Sequence, residues 1–235
     1  MVRAGTVTTG RLGIYGGTFN PLHAAHLMVA EEIRERMRLD RILFVPSGVP
    51  PHKSGLIPNG RQRLAMVRLA VRGNPFFSAL DLEVTREGRS YTIETLQVLR
   101  RRHPRPTDFF FLIGMDAFEE ITTWREADRL ADHVHFVTFP RPGHPLVKLE
   151  PFLPRSWKTG RVSAFGRTGI RKISLAGKKA LFTVPMETHP LSASAVRRRI
   201  REGRSIRYLV PETVRRYIEK NNLYRKQQEK ENRWG

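Results

Sequence analysis

Apolar residues along this chain come in two spacings. Short runs sit at Leu12, Ile14 and Tyr15, at Arg41–Pro46 (R-I-L-F-V-P), Phe76–Leu82, Asp108–Ile113 (D-F-F-F-L-I), Val134–Phe139 and Leu181–Val184. Their length suits strands, and the unbroken apolar character of Asp108–Ile113 predicts a central strand covered on both faces. Helical stripes lie between these runs. One begins near His23 and carries Leu27, Ala30, Ile33 and Met37 along one side. A second, Arg61–Arg72, sets basic residues opposite its apolar side and is ended by Gly73-Asn74-Pro75. A third is predicted to start with Ser90 as cap, after the Glu87-Gly88 turn, and to run to Arg102. Near the C-terminus, Ser192 and Ser194 precede a short helix closed near Gly203. Pro211 fits the first turn of a last one, with Val214, Tyr217 and Ile218 as its apolar side.

Strand, helix and strand within about 35 residues make a βαβ unit, and hence a parallel sheet. The expected fold is α/β: a Rossmann-like, doubly wound parallel sheet of about five or six strands, with helices on both faces and a small C-terminal helical part. The expected organisation is an extension at 1–11, one domain at 12–224 and a charged tail at 225–235. Within the domain, about 144–180 is rich in Pro, Gly, Ser and basic residues and shows no period. It reads as a basic excursion of loop character. No internal repeat is visible.

Composition narrows the chemistry. At 235 residues the chain can bury a real core. It has no cysteine, which removes disulfides, thiolate catalysis and Cys-based metal sites. The longest apolar run, Phe109–Ile113, is far too short for a bilayer. Residues 1–11 have no apolar stretch of signal-peptide type, so a cytoplasmic protein without membrane contact is expected. Lys plus Arg number 42 against 22 Asp plus Glu, a net +20, which favours polyanionic partners without choosing among nucleotide, nucleic acid and acidic lipid.

Candidate chemistry clusters at strand ends. After the first strand come Gly16-Gly17, an Asn-Pro turn and the helix that holds His23 and His26. A glycine turn lets backbone approach a bound group, a helix N-terminus favours anions, and residues three apart share a face. This is a phosphate site, although a packed histidine pair or half a metal site would give the same spacing. The loop Pro46–Gly55 presents His52 and Lys53 at the sheet edge where open α/β folds bind ligands. Ser90-Tyr91-Thr92 sits at a helix start. Gly114-Met115-Asp116 places an acid past a strand end, for a ribose, a metal-bound water or a helix cap. Trp124 has a core reading; beside Arg125, however, the indole suits stacking on an aromatic ring with an anionic substituent. Ser192, Ser194 and Arg197 offer a second phosphate cradle, or a plain serine cap.

The string G-G-T-F-N-P-L-H-A-A-H, Gly16–His26, resembles the G-G-x-F-[DN]-P-x-H-x-G-H motif of the nucleotidyltransferase superfamily, with Ala25 in place of the glycine between the histidines. Val45–Lys53 (V-P-S-G-V-P-P-H-K), Ser90–Leu96 (S-Y-T-I-E-T-L), Ile113–Asp116, Trp124-Arg125, Arg141-Pro142-Gly143 and the ending V-P-E-T-V-R-R-Y-I-E-K-N-N-L-Y resemble one member, the bacterial nicotinate-nucleotide adenylyltransferases. Leu191–Arg197 (L-S-A-S-A-V-R) is similar to that family's I-S-S-T-x-I-R, with Ala193 lacking one hydroxyl. The likeness runs from about Leu12 to Tyr224, apart from the basic excursion.

The resemblance implies adenylyl transfer from ATP to nicotinate mononucleotide, giving nicotinate adenine dinucleotide and pyrophosphate. Mg²⁺ would be carried by the ATP phosphates rather than by protein metal ligands. His23 and His26 would be catalytic. Gly16, Gly17, Thr18, Phe19, His23, His26, Gly114, Asp116, Ser192, Ser194 and Arg197 would bind ATP. His52, Lys53, Tyr91, Thr92, Trp124 and Arg125 would bind the mononucleotide. No nucleic-acid partner is expected, and a homo-oligomer is left open. An adenylyltransferase for nicotinamide mononucleotide or another phosphate acceptor is the nearest alternative. A basic nucleic-acid-binding protein, or an ATP-binding module without catalysis, is the alternative of another class.

Overall fold

A computed structural model of the protein describes residues 10–49, 58–103, 107–147, 149–157, 162–165 and 169–225. Strands β1 (Gly10–Gly17), β2 (Arg41–Pro46), β3 (Phe77–Ala79), β4 (Thr107–Gly114), β5 (His135–Phe139), β6 (Val162–Phe165), β7 (Ile170–Ser174) and β8 (Ala180–Thr183) join one sheet in the order β3-β2-β1-β4-β5-β8-β7-β6. The six from β3 to β8 are parallel, whereas β8-β7-β6 pair antiparallel. Helices are α1 (Ala24–Arg36), α2 (Gly60–Val71), α3 (Thr92–Arg102), the short α4 (Met115–Phe118) and α5 (Ala127–Leu130), then α6 (Ala193–Arg201) and α7 (Glu212–Lys220). None of them is long and apolar enough to cross a membrane.

Side-chain alternation along β4 explains the two covered faces. Phe109, Phe111 and Ile113 join one core with Leu96 and Leu99 of α3, while Phe110 and Leu112 join the other with Val29 and Ile33 of α1. A third cluster, Met66, Val196, Val214 and Ile218, packs α6 and α7 onto α2. The chain runs outward from β1 to β3, then returns to start β4 on the other side of β1. That reversal opens a crevice at the carboxyl ends of β1 and β4, where such sheets hold ligands.

Three sequence expectations shift. The third strand keeps only Phe77–Ala79 in the ladder. Ser90 does not cap α3: Tyr91 holds the N-cap position, and the Ser90 hydroxyl accepts from the Gly48 N–H at 2.9 Å. The stretch at 144–180 is more than loop, because it supplies β6, β7 and a buried Trp157. No sequence period announces its apolar residues, because Ile170 and Ile173 are both buried three apart, a spacing that matches no strand period.

Candidate active site

The crevice is built first by the turn from β1 to α1. His23 occupies the N-cap position in extended conformation (φ −137°, ψ 171°) and its side chain is fully buried. Its backbone N–H donates to His26 Nδ1 at 3.2 Å, and the two rings lie 3.8 Å apart, centroid to centroid. A neutral imidazole that accepts at Nδ1 carries its proton on Nε2, so His26 is a donor at its far side. Tyr15 and Phe19 set their edges against this ring at 6.0 and 5.3 Å. Both ring nitrogens of His23 are buried with no hydrogen-bond partner among the described residues. Such orphaned groups are uncommon in folded proteins, and they make the His23 ring a candidate for a partner from outside the chain. Burial, and then the charge of Arg141, push His23 down to about 3, so it stays neutral at pH 7.

The start of α1 differs from its sequence expectation. Ala24 N–H is taken by the Leu209 carbonyl at 2.9 Å, so the helix end is not wholly open to an anion. Arg197 brings in the second predicted cradle. Its Nη1 donates to the Asn20 carbonyl at 2.7 Å and its Nη2 to Ser194 Oγ at 3.0 Å. The two motifs, 177 residues apart, therefore meet directly. Ser192 acts as the cap of α6, its Oγ accepting from Ala195 N–H at 3.1 Å.

Beside them stands the end of β4. A Cβ at Gly114 would lie 2.5 Å from Asp116 Oδ1 and 2.8 Å from Arg141 Cγ, so only glycine fits there. Arg141 Nε lies 3.8 Å from Asp116 Oδ2. Arg141, whose charge also reaches His23, was not among the sequence-predicted site residues. Its position just past the end of β5, in R-P-G, is the signal that could have found it.

The remaining candidates gather at the start of α3. Arg125 Nη1 pairs with Glu94 Oε1 at 3.2 Å, and its guanidinium lies 4.5 Å over the Tyr91 ring. Arg86 approaches the other Glu94 oxygen at 3.5 Å. Trp124 is half-buried, edge-on to Phe111 at 6.0 Å. Thr92 is the first residue of α3, whose cap makes no side-chain hydrogen bond. The Gly48–Ser90 bond ties the loop after β2 to this corner. His52 and Lys53 lie outside the described residues.

The buried histidines make stability depend on pH. His135, at the opposite end of the sheet, is pushed down to about 4, chiefly by burial and then by Lys179. For both His23 and His135 the folded value lies below the unfolded one, so the unfolded chain takes up protons first. Their stabilisation is present above about pH 6.5 and is lost as pH falls towards 4 and 3. Each should contribute a slope of about 1 kcal/mol per pH unit below pH 6. Urea midpoints measured between pH 7 and 5 check this, and a flat profile would contradict it.

A family model described as cytidylyltransferase-like matches residues 14–199. A relative from Citrifermentans bemidjiense, named "Probable nicotinate-nucleotide adenylyltransferase", is 40% identical, covering 91% of this chain and 98% of its own. One of the same name from Syntrophotalea carbinolica is 42% identical over 93% and 99%. Among solved structures, the Plasmodium falciparum nicotinic acid mononucleotide adenylyltransferase complexed with NaAD superposes with a TM-score of 0.70 at 21% identity, covering 92% of this chain and 97% of that one, a likeness of fold. With most of both lengths aligned and the crevice at the expected strand ends, the chain belongs to the cytidylyltransferase-like family and, within it, to the nicotinate-nucleotide adenylyltransferases.

Proposed function

We propose that this protein transfers the adenylyl group of ATP to nicotinate mononucleotide, releasing pyrophosphate. The observation that carries the reading is the buried, neutral His23, whose ring nitrogens have no partner among the described residues and whose turn is joined through the Asn20 carbonyl to the Arg197–Ser194 pair. An oxygen of the mononucleotide phosphate attacks the α-phosphorus of ATP. The bond from that phosphorus to the bridging oxygen breaks, and pyrophosphate leaves with the electron pair. The nucleophile is already an anion, so no protein nucleophile or base is required. The protein's task is in-line alignment and neutralisation of charge.

Gly16, Gly17, Thr18 and Phe19 line the triphosphate. His23 and His26 donate to the phosphate oxygens, His26 at the α-phosphate where charge grows. Arg197, Ser194 and the α6 start at Ser192 hold the departing pyrophosphate. Gly114 allows close approach, and Asp116 faces the ribose. Mg²⁺ would enter as a companion of the triphosphate, whose oxygens are the hard anionic ligands this cation takes. When bound, it offsets phosphate charge. His52 and Lys53 take the mononucleotide phosphate, and Tyr91, Thr92, Trp124 and Arg125 form the nicotinate pocket.

Selectivity for the acid over the amide falls to backbone N–H groups at Thr92 and Arg125, because the Arg125 guanidinium is engaged by Glu94 and Tyr91. Trp124→Ala should raise the KM for the mononucleotide about tenfold or more with little change in kcat. Loss of all soluble protein would instead make Trp124 a core residue. The deciding assay is pyrophosphate release with ATP and Mg²⁺, comparing nicotinate with nicotinamide mononucleotide. Preference for the acid is expected. Equal rates would remove the carboxylate-selective pocket, and no release with either would remove the reaction.

A further inference from the structure

Arg63 belongs to α2 and to none of the motifs above, yet it is 1% exposed. Every nitrogen of its guanidinium donates to a backbone carbonyl: Nε to Pro58 at 3.1 Å, Nη1 to Thr18 at 2.8 Å, Nη2 to Gly48 at 2.5 Å. These carbonyls lie on three separate segments: the entry to α2, the glycine turn after β1 and the loop after β2. Burying a cation against neutral carbonyls is costly, and a hydrocarbon of similar size would fill the space at less cost. Burial accordingly pulls Arg63 below its ordinary value, with Tyr224 and Glu83 opposing. Glu83 is itself engaged elsewhere, since its Oε1 accepts from Thr95 Oγ1 at 2.7 Å. What the guanidinium offers in return is geometry: a rigid planar fork that fixes three carbonyls relative to one another.

Two of those carbonyls sit on the loops that the proposed function gives to the two substrates. Thr18 is in the turn assigned to the triphosphate, and Gly48 begins the loop that leads to His52 and Lys53. Ser47 N–H, donating to the Gly17 carbonyl at 2.9 Å, joins the same loops at their roots. Arg63 joins them one residue further along each. We infer that Arg63 is a positioning residue, which holds the triphosphate turn at Thr18 and the backbone at Gly48, just after β2, in fixed register so that the attacking and receiving phosphates meet in line. The inference rests on the substrate assignment above. A lysine cannot replace the fork, because its ammonium reaches from a single point.

The test compares Arg63→Lys and Arg63→Met with Arg68→Met, a change at an exposed arginine of the same helix that pairs with Asp81. Wild-type pyrophosphate release, run alongside, tests the proposed reaction by itself; the inference is read from the ratio of variant to wild type. In both Arg63 variants, assayed well below their melting temperatures, kcat should fall about 10²-fold and the KM for both substrates should rise. Arg68→Met should match wild type. Folded Arg63 variants with kcat and both KM values within twofold of wild type would make Arg63 a core residue only. A second measurement needs no variant to fold. The Arg63 Nε–Hε resonance of the wild-type protein should shift with ATP alone and with the mononucleotide alone, because both ligands meet loops bonded to it. A signal that responds to only one ligand, or to neither, overturns the inference.

Discussion

His26→Ala should lower kcat for pyrophosphate release by about 10²–10³-fold while changing the KM for nicotinate mononucleotide less than about threefold. The His26 ring is already oriented without substrate. His23 N–H holds Nδ1 at 3.2 Å, and Tyr15 and Phe19 fix the ring plane. Its Nε2–H is thus a donor set in place before the reaction begins. Under the proposed assignment, charge on the α-phosphate oxygens grows as the attacking oxygen arrives, so a bond from His26 would strengthen in the transition state and its loss would appear in turnover. Steady-state kinetics on both substrates, with circular dichroism to confirm the fold, measure the effect. An unchanged kcat with a raised KM for ATP would reduce His26 to a binding residue. His23, neutral down to about 3, should contribute no ionisation to the profile of kcat/KM between pH 5 and 8 in the free enzyme.

Trp157→Ala should cost about 3–5 kcal/mol of unfolding free energy. The residue lies in the basic stretch that the sequence presents as loop. Its side chain is nonetheless 1% exposed, 4.6 Å from the Phe136 ring centroid, with Nε1–H donating to the Asp128 carbonyl at 3.2 Å. Truncation leaves a large cavity against β5, which carries the cost; the Asp128 carbonyl loses its indole donor but keeps Ser156 Oγ–H at 3.3 Å. Urea denaturation gives the value directly. A loss below about 1 kcal/mol would mean that this stretch is an appendage rather than a wall of the core.

The sequence by itself determined the parallel sheet and the place of the first motif. The unbroken β4 run and the helical stripe from Leu27 to Met37 are local patterns, and burial on two faces or on one is legible in such periods. The pairing of Gly16–His26 with Leu191–Arg197 was reachable only through family resemblance, since no local pattern links residues 177 apart. Tertiary structure alone decided which N–H groups remain for a ligand. It gave Ala24 N–H to Leu209, the Ser90 hydroxyl to Gly48 and the Arg125 charge to Glu94. It also made Arg63 a clamp and turned irregular residues after His144 into β6, β7 and a buried indole. The physical reason is common to all of these. Hydrogen-bond partners and burial between distant segments depend on where the fold carries each backbone carbonyl, and carbonyls are the same at every position in the sequence.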